Sequence, residues 1–129
     1  MSRRIPASAI VAAIAAIATQ AAPAHQTAKH KRPAHMLVIA QEWSLTLSRG
    51  TVPHGVLSVE LYDRGQDAHN LNIRHLRRGH PFGAAQHVSL TQSGDVTKAG
   101  WHLRPGRYIL YCSLPGHEHR GMKAFLVVH

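Results

Sequence analysis

Residues 111–122 have the sequence YCSLPGHEHRGM, in which a cysteine, a histidine and a methionine follow one another at intervals of five residues. Just before this segment the chain alternates so that Tyr108, Leu110 and Cys112 share one face of a predicted strand. The apolar run from Met122 to Val128 predicts a second strand. The segment between them is therefore a loop that joins two neighbouring strands, and its Pro and Gly allow it to fold three donor side chains around one point.

The chain after residue 35 consists of short apolar or alternating runs separated by Gly, Pro and polar residues, and no run keeps a helical period for three turns. This pattern predicts an all-β domain, with about seven to eight strands arranged as a β-sandwich. Turns are predicted at Thr51 to Gly55 and at Ser93 to Asp95, and the Gly- and His-rich stretch from Arg77 to Ala85 is predicted to lie outside the strands. The other predicted strands are Met36–Ala40, Trp43–Leu47, Val56–Tyr62, Leu71–Leu76, His87–Thr91 and Ala99–Leu103.

Cys112 is the single cysteine of the chain, so it cannot form an internal disulfide. It is a small buried side chain, an intermolecular bridge or a metal ligand, and its neighbours favour the metal ligand. Thiolate and imidazole bind both oxidation states of copper well, and a more distant thioether tunes the reduction potential. A fourth donor has to come from outside the loop, and the segment Asp67–Leu71 offers His69 at the mouth of an inner strand.

These motifs resemble those of the cupredoxins, the family of plastocyanins, azurins and related small blue-copper proteins. The resemblance covers Met36 to His129, and it implies a Greek-key β-sandwich. The stretches that carry it are Thr51-Val52-Pro53 with Gly55, Asp67–Asn70, Pro105–Tyr108 and the loop from Cys112 to Met122.

The resemblance also implies which residues hold and support one copper ion. Asn70 would help to fix the ligand loops by hydrogen bonding near Ser113, as the Asn after the first His does in the family. The ligands that it implies are His69, Cys112 and His117, with Met122 as the weak axial one.

The function implied is electron transfer by a copper ion that cycles between Cu(I) and Cu(II). A closed four-ligand site leaves no position for substrate, so the protein is not expected to be an enzyme. Copper oxidases and nitrite reductases place a His beside the Cys, whereas here the neighbours are Tyr111 and Ser113. A periplasmic copper-binding or copper-delivery protein is the alternative, which Met-rich tracts would favour, but the chain has only 3 Met.

His117 is the residue through which electrons are expected to leave, because the second His ligand commonly has that role in the family. Leu114, Pro115 and Gly116 would surround it as a small apolar docking patch. His119 lies where alternation points it away from the metal and toward solvent. The histidines at other positions of the domain show no paired spacing that indicates a second site; they include His54, His75, His80, His87 and His102.

The N-terminal segment differs from the rest of the chain, because a short basic start at Ser2–Arg4 precedes an apolar, Ala-rich run from Ile5 to Ala18. This is the pattern of a signal peptide, and the run is shorter than the roughly 20 residues that a membrane-spanning helix needs. We therefore predict a signal peptide at residues 1–24, a flexible tail at 25–35 and a cupredoxin domain at 36–129. The protein is expected to be exported to the periplasm or the extracellular space, with no membrane span after cleavage.

The charge of the chain bears on its partners. Lys and Arg number 15 against 6 Asp and Glu, a formal net charge of +9 that falls to +7 when Arg3 and Arg4 are removed with the predicted signal peptide. Such a surface favours acidic partners, here expected to be redox proteins, and the protein is expected to be a monomer. Nucleic acid is not expected as a partner, because the charges are scattered, aromatic residues are few and no helix-turn-helix or zinc-finger spacing occurs. The histidines of the tail, His25, His30 and His35, could bind metal opportunistically.

Overall fold

The computed structural model describes residues 32–129, so the predicted signal peptide and residues 25–31 of the predicted tail lie outside the described residues. Between residues 32 and 129 the chain forms strands, turns and loops, and it has no helix long and apolar enough to span a membrane. The strands in this range are β1 (Ala34–Gln41), β2 (Ser44–Leu47), β3 (Thr51–Val52), β4 (Gly55–Asp63), β5 (His69–Arg77), β6 (His80–Thr91), β7 (Val96–Leu103), β8 (Gly106–Tyr111) and β9 (Lys123–Val128).

The strands form two sheets. One has the order β2-β1-β4-β7, and the other has the order β3-β9-β8-β5-β6. Neighbouring strands are antiparallel except for β1 with β4 and β3 with β9, which are parallel. Buried side chains from both sheets meet in one hydrophobic core. The predicted all-β sandwich is therefore confirmed.

The core follows from the two-residue alternation of the strands. In β4 the side chains of Leu57, Val59 and Leu61 are fully buried, and the residues between them are half-buried. Leu110 of β8 and Leu126 of β9 are buried from the other sheet in the same way. Each strand thus turns one row of apolar side chains inward, as the alternating sequence predicts.

The hairpin of β5 and β6 is the main departure from the predicted strands. The sequence predicts that the stretch from Arg77 to Ala85 lies outside the strands. This prediction is wrong for most of the stretch, because β6 already begins at His80. Arg78 and Gly79 make the turn, and both have positive φ angles, 52° and 83°, which suit a tight two-residue hairpin. The first five residues of β6 are all exposed, so no alternation occurs there that a sequence pattern could detect.

A two-residue strand, β3, occurs where the sequence predicts only a turn. Thr51 and Val52 pair in parallel with Val127 and Val128 of β9. A strand of this length is too short to show an alternation, and it forms because β9 supplies a partner distant in sequence. With this strand, the described residues form more strands than the seven to eight that the sequence predicts.

The strand order brings the ends of several strands together at one end of the sandwich. Asn72 of β5 lies opposite Tyr111 of β8, so the start of β5 is beside the end of β8. Tyr111 in turn lies opposite Lys123, the first residue of β9. The loop after Asp63, the last residue of β4, leads directly to His69 at the start of β5. The residues at these ends are therefore neighbours in space.

Leu126→Ala is expected to lower the free energy of unfolding by about 2–5 kcal/mol, because it opens a cavity in the core. Leu90→Ala makes the same chemical change at a side chain that is 51% exposed, and its effect is expected to stay within about 0.5 kcal/mol. Urea denaturation of the metal-free protein measures both values. Equal losses in the two variants would contradict the placement of Leu126 in the core.

Candidate functional site

The loop from Ser113 to Gly121 is closed at its base by backbone hydrogen bonds. The N–H of Cys112 donates to the carbonyl of Met122 at 3.1 Å, which continues the pairing of β8 with β9 beyond the strand ends. The N–H of Met122 donates to the carbonyl of His117, also at 3.1 Å. The side chains of Cys112 and Met122 are fully buried in the hydrophobic core. The closed loop thus has a thiol and a thioether beneath it.

His117 lies beside the thiol of Cys112. Sγ of Cys112 is 3.6 Å from Nδ1 of His117. The imidazole is half-buried, and its backbone N–H donates to the carbonyl of Leu114 at 3.1 Å, so the ring is carried by a tight turn. A thiol and an imidazole at this distance can exchange a proton or contribute to the same metal site.

His69 is the first residue of β5 and is fully buried. Its ring lies edge-on to the ring of His117, with centroids 5.2 Å apart and an angle of 63° between the planes. Nδ1 of His69 is 3.0 Å from both carboxylate oxygens of Asp63. Nε2 of the same ring has no hydrogen-bond partner and lies 3.7 Å from Oε1 of Glu42. A buried ring nitrogen that has no hydrogen-bond partner could be satisfied by a bound ligand.

Glu42 fixes the loop between β4 and β5. Its Oε1 accepts hydrogen bonds from the N–H groups of Gln66 at 2.7 Å and Asp67 at 2.8 Å. Backbone donors, that of Asp67 foremost, hold the pKa of Glu42 below its ordinary value of 4.5. A β-carbon at Gly65 would lie 2.5 Å from Oε1 of Glu42 and 2.7 Å from Cε1 of His69, so any larger residue would have to displace one of these side chains.

Asn70 cross-links the start of β5 to the end of β8. Its Nδ2 donates to Oγ of Ser113 at 2.9 Å, and its Oδ1 accepts from the N–H of Ser113 at 2.9 Å. Nδ2 of Asn72 donates to the same Oδ1 at 3.2 Å. The hydrogen bonding expected between Asn70 and Ser113 is thus present, and it ties the segment that carries His69 to the segment that follows Cys112.

Trp43 covers one side of His117. The two rings are nearly perpendicular, at 89°, with centroids 4.9 Å apart. The guanidinium carbon of Arg120 lies 4.4 Å from the centroid of the Trp43 ring, which is a favourable distance for attraction between a cation and an indole. An aromatic ring and a cation therefore form the surface on this side of the imidazole.

The four side chains expected to bind a metal lie in one region but do not all converge. Cys112 and His117 are in contact, the ring of His69 lies beside that of His117, and Met122 is buried at the base of the loop. No three His, Cys, Asp or Glu side chains among residues 32–129 are grouped so that they could hold a metal ion. Nδ1 of His69 is turned toward Asp63.

The residues expected around His117 lie at the surface of the loop. Pro115 and Gly116 are exposed, and Leu114 is half-buried against the core. His119 is exposed, in agreement with its expected position.

Asp63, Glu42 and Trp43 belong to this region but have no motif in the sequence. Asp63 is the buried last residue of β4, on the same face as the apolar residues Leu57, Val59 and Leu61, and an acidic residue at such a position is the one local signal that indicates a polar contact inside the fold. Glu42 and Trp43 lie in the turn between β1 and β2, so only the folded chain brings them to His69 and His117.

The domain is similar in structure to auracyanins and rusticyanin. Auracyanin from the photosynthetic bacterium Roseiflexus castenholzii is 18% identical with a TM-score of 0.58, over 74% of this chain and 97% of that chain. Rusticyanin from Thiobacillus ferrooxidans is 17% identical with a TM-score of 0.63, over 77% and 79%. Auracyanin A, a "blue" copper protein from Chloroflexus aurantiacus, is 13% identical with a TM-score of 0.57, over 75% and 99%. No protein-family model and no curated protein matches the chain. At these identities the similarity establishes the fold.

Gly65→Ala is expected to displace the Glu42 carboxylate or the His69 ring, because the new methyl group would lie 2.5 Å from the first and 2.7 Å from the second. Overpacking of this kind costs about 1–3 kcal/mol. Thermal unfolding of the metal-free protein measures the cost, and the NMR signals of the His69 ring report the displacement. Gly50→Ala is the control, since no atom lies within 4 Å of a β-carbon there. Unchanged His69 signals in Gly65→Ala would contradict the close packing at this position.

Proposed function

We propose that this chain, which has the cupredoxin fold, is a mononuclear blue-copper protein that transfers single electrons by cycling between Cu(I) and Cu(II). His69, Cys112 and His117 would hold the copper ion as strong ligands, and Met122 would add a weaker fourth ligand. The observation that supports this most directly is the Cys112 thiol, which lies 3.6 Å from Nδ1 of His117, in a region where Nε2 of buried His69 has no partner.

The four donors fit copper in their chemistry and burial. A thiolate and two imidazoles bind Cu(I) and Cu(II), and a thioether adds a weak contact that does not impose the geometry preferred by Cu(II) in water. The ring of His69 also has an unsatisfied nitrogen, because its buried Nε2 makes no hydrogen bond. The donor side chains would have to move closer together to bind copper, because among residues 32–129 no three His, Cys, Asp or Glu side chains form a metal-binding group.

A bound copper ion would supply one-electron redox chemistry, and the role of the chain is to hold the donors in nearly the same place in both oxidation states. The Cys112–Met122 backbone hydrogen bond and the Asn70–Ser113 pair fix the two segments that carry the donors. Burial of Cys112 also keeps water away from the thiol. Held donors need little rearrangement when an electron arrives or leaves, so transfer is fast.

The proposed role does not include catalysis at the metal. Four protein donors around one ion would leave no position for a substrate, in contrast to catalytic metal sites that keep an open position. The residues next to Cys112 are Tyr111 and Ser113, so the chain lacks the adjacent His that would link a second copper centre.

Electrons are proposed to enter and leave through the ring of His117, because it is half-buried whereas the side chains of the other three donors are fully buried. Leu114, Pro115 and Gly116 provide a small, partly exposed apolar surface on the same loop. Trp43 packs against the ring. A redox partner that docks on this loop would come close to the imidazole.

The partner is proposed to be an acidic redox protein, because the chain without the predicted signal peptide has 13 Lys and Arg against 6 Asp and Glu, a formal net charge of +7. We further propose that the protein acts as a monomer after export to the periplasm or the extracellular space. Export is supported by the basic start and apolar run of the N-terminal sequence, in residues 1–24.

One equivalent of Cu(II) added to the purified protein is expected to produce an intense visible band, because charge transfers from the thiolate of Cys112 to the metal. Electron paramagnetic resonance is expected to show narrow hyperfine splitting, and a reductant is expected to bleach the colour reversibly. Cys112→Ser is expected to lose the band, because an alcohol oxygen does not replace the thiolate donor. His119→Ala is the matched control, since it changes an exposed histidine of the same loop, and it is expected to keep the band.

Copper that binds without this band, and binds equally well to Cys112→Ser, would contradict the proposed electron-transfer site. The metal would then be held by other histidines, and a copper-binding or copper-delivery protein would become the better explanation.

The rate of electron exchange with an acidic redox protein is expected to fall as ionic strength rises, because salt screens the attraction between opposite charges. Stopped-flow measurements at low and high salt test this, with an uncharged small-molecule reductant as the control whose rate should change little. A rate with the acidic protein that is independent of ionic strength would contradict the proposed choice of partner.

A further inference from the structure

The charged side chains of the described residues are not spread evenly over the sandwich. The donor end is the end that carries the proposed copper ligands, where β4, β6 and β8 finish and β5 and β9 begin. Glu60 and Lys98 form an ion pair between the two ends. The exposed Lys, Arg, Asp and Glu residues of the donor end balance in sign, and they are Arg64, Arg120, Lys123, Asp67, Asp95 and Glu118.

The basic end is the opposite end of the sandwich, where β1, β4 and β8 begin and β5, β7 and β9 finish. Among residues 32–129, no Asp or Glu side chain lies there. The arginines of the basic end are all exposed, and they are Arg32, Arg77, Arg78, Arg104 and Arg107. The positive charge of the described residues is therefore concentrated at the end away from the donor side chains.

The turn between β5 and β6 belongs to the basic end. The pairing of β5 with β8 ends at Leu76 and Arg107, whereas the pairing of β5 with β6 continues to Arg77 and His80. β6 is the edge strand of its sheet, and every residue of the turn is exposed. The tip of this hairpin thus extends past β8 and presents two arginines, Arg77 and Arg78, to the outside.

Two exposed phenylalanines lie beside these arginines. Phe82 is 54% exposed and Phe125 is 56% exposed, which is unusual for large apolar side chains. The guanidinium carbon of Arg77 is 5.3 Å from the centroid of the Phe82 ring. Arg78 lines two surface cavities, one together with Phe82 and the other together with Phe125 and Arg107. The hairpin tip and its surroundings therefore combine positive charge with exposed aromatic rings.

We propose that the basic end is a docking surface for a membrane of anionic phospholipids. Guanidinium groups bind phosphate oxygens well, and an anionic lipid surface strengthens binding about fivefold for each Lys or Arg held near it. Aromatic side chains next to such cations can enter the headgroup region and add an apolar contribution. The absence of acidic side chains from this end, among residues 32–129, avoids repulsion from the lipid phosphates.

The orientation of the domain favours a membrane over an acidic redox protein as the occupant. β5 runs from His69 at the donor end to Arg77 at the basic end, which is about 26 Å for a strand of nine residues. A redox protein at the basic end would be held far from His117, and electron tunnelling falls off steeply with distance. A membrane at the basic end leaves His117 facing the water. This choice of occupant rests on the proposed electron-transfer function.

Binding of the metal-free protein to sedimented vesicles tests the proposal. Vesicles of phosphatidylcholine with phosphatidylglycerol are expected to bind the protein at low salt, and vesicles of phosphatidylcholine alone are not. Arg77→Gln/Arg78→Gln is expected to weaken binding about 30-fold. Arg64→Gln/Lys123→Gln is the matched control, because it removes the same charge from the donor end, beyond the roughly 10 Å over which charges act in dilute salt.

The apolar part of the contact is tested by Phe82→Ala. This variant is expected to bind the phosphatidylglycerol vesicles more weakly than the wild type, and the difference is expected to persist as salt is raised, because salt does not screen an apolar contact. Leu90→Ala is the control, since Leu90 is 51% exposed and lies in β6 near the donor end. It is expected to bind like the wild type.

Three results would overturn the proposal. The first is binding that does not depend on phosphatidylglycerol, and the second is equal binding by the two double variants. The third is a loss in Arg77→Gln/Arg78→Gln with none in Phe82→Ala, which would indicate an acidic protein surface in place of a membrane. None of these measurements needs a bound metal, so failure of the copper site would be seen separately, as a wild-type protein that lacks the thiolate band.

Discussion

The pairing of β8 with β9, extended past the strand ends by the backbone hydrogen bond from Cys112 to Met122, is the constraint on which the site depends. Side chains alternate along a strand, so Cys112 shares the inward face of Leu110, and Met122 shares that of Leu126. A shift of β9 by one residue against β8 would turn Met122 and Leu126 toward solvent while Cys112 stayed inside. The apolar side chains that fill the core therefore also determine where the two sulfur donors lie.

A second constraint comes from polar groups that are buried beside this core. Asp63 is satisfied inside the fold by the N–H of Gly65 and by the ring of His69. This arrangement needs a tight loop between β4 and β5, and Glu42 keeps the loop tight by accepting two of its backbone N–H groups. The histidine is thus oriented by hydrogen bonds within the chain, so a metal ion would meet a ring that is already held.

The surface above the buried donors is not uniform. The ring of His117 packs against Trp43, whose own ring lies under the guanidinium of Arg120, and the loop segment just before His117 in the chain is apolar. Apolar side chains can pack against many different partner proteins, whereas an aromatic ring with a cation over it favours partners that present acidic or electron-rich groups. The region where an electron would cross the surface therefore combines a general docking contact with a more selective one.

The sequence by itself determined the all-β class, most of the strands and the types and order of the proposed donors, because these depend on residue identity and on alternation between near neighbours. The hydrogen bonds of Asn70 with Ser113 were also expected, from the family resemblance. Short strand β3 escaped prediction because it is created by pairing with a strand distant in sequence. The first half of β6 escaped it because its exposed residues, which pair with β5 across a tight turn, show no alternation. Only the tertiary structure decided that Asp63 occupies one nitrogen of His69 and leaves the other free, and that Trp43 covers His117. Such contacts join separate loops, and periodicity within a strand carries no information about which loops will meet.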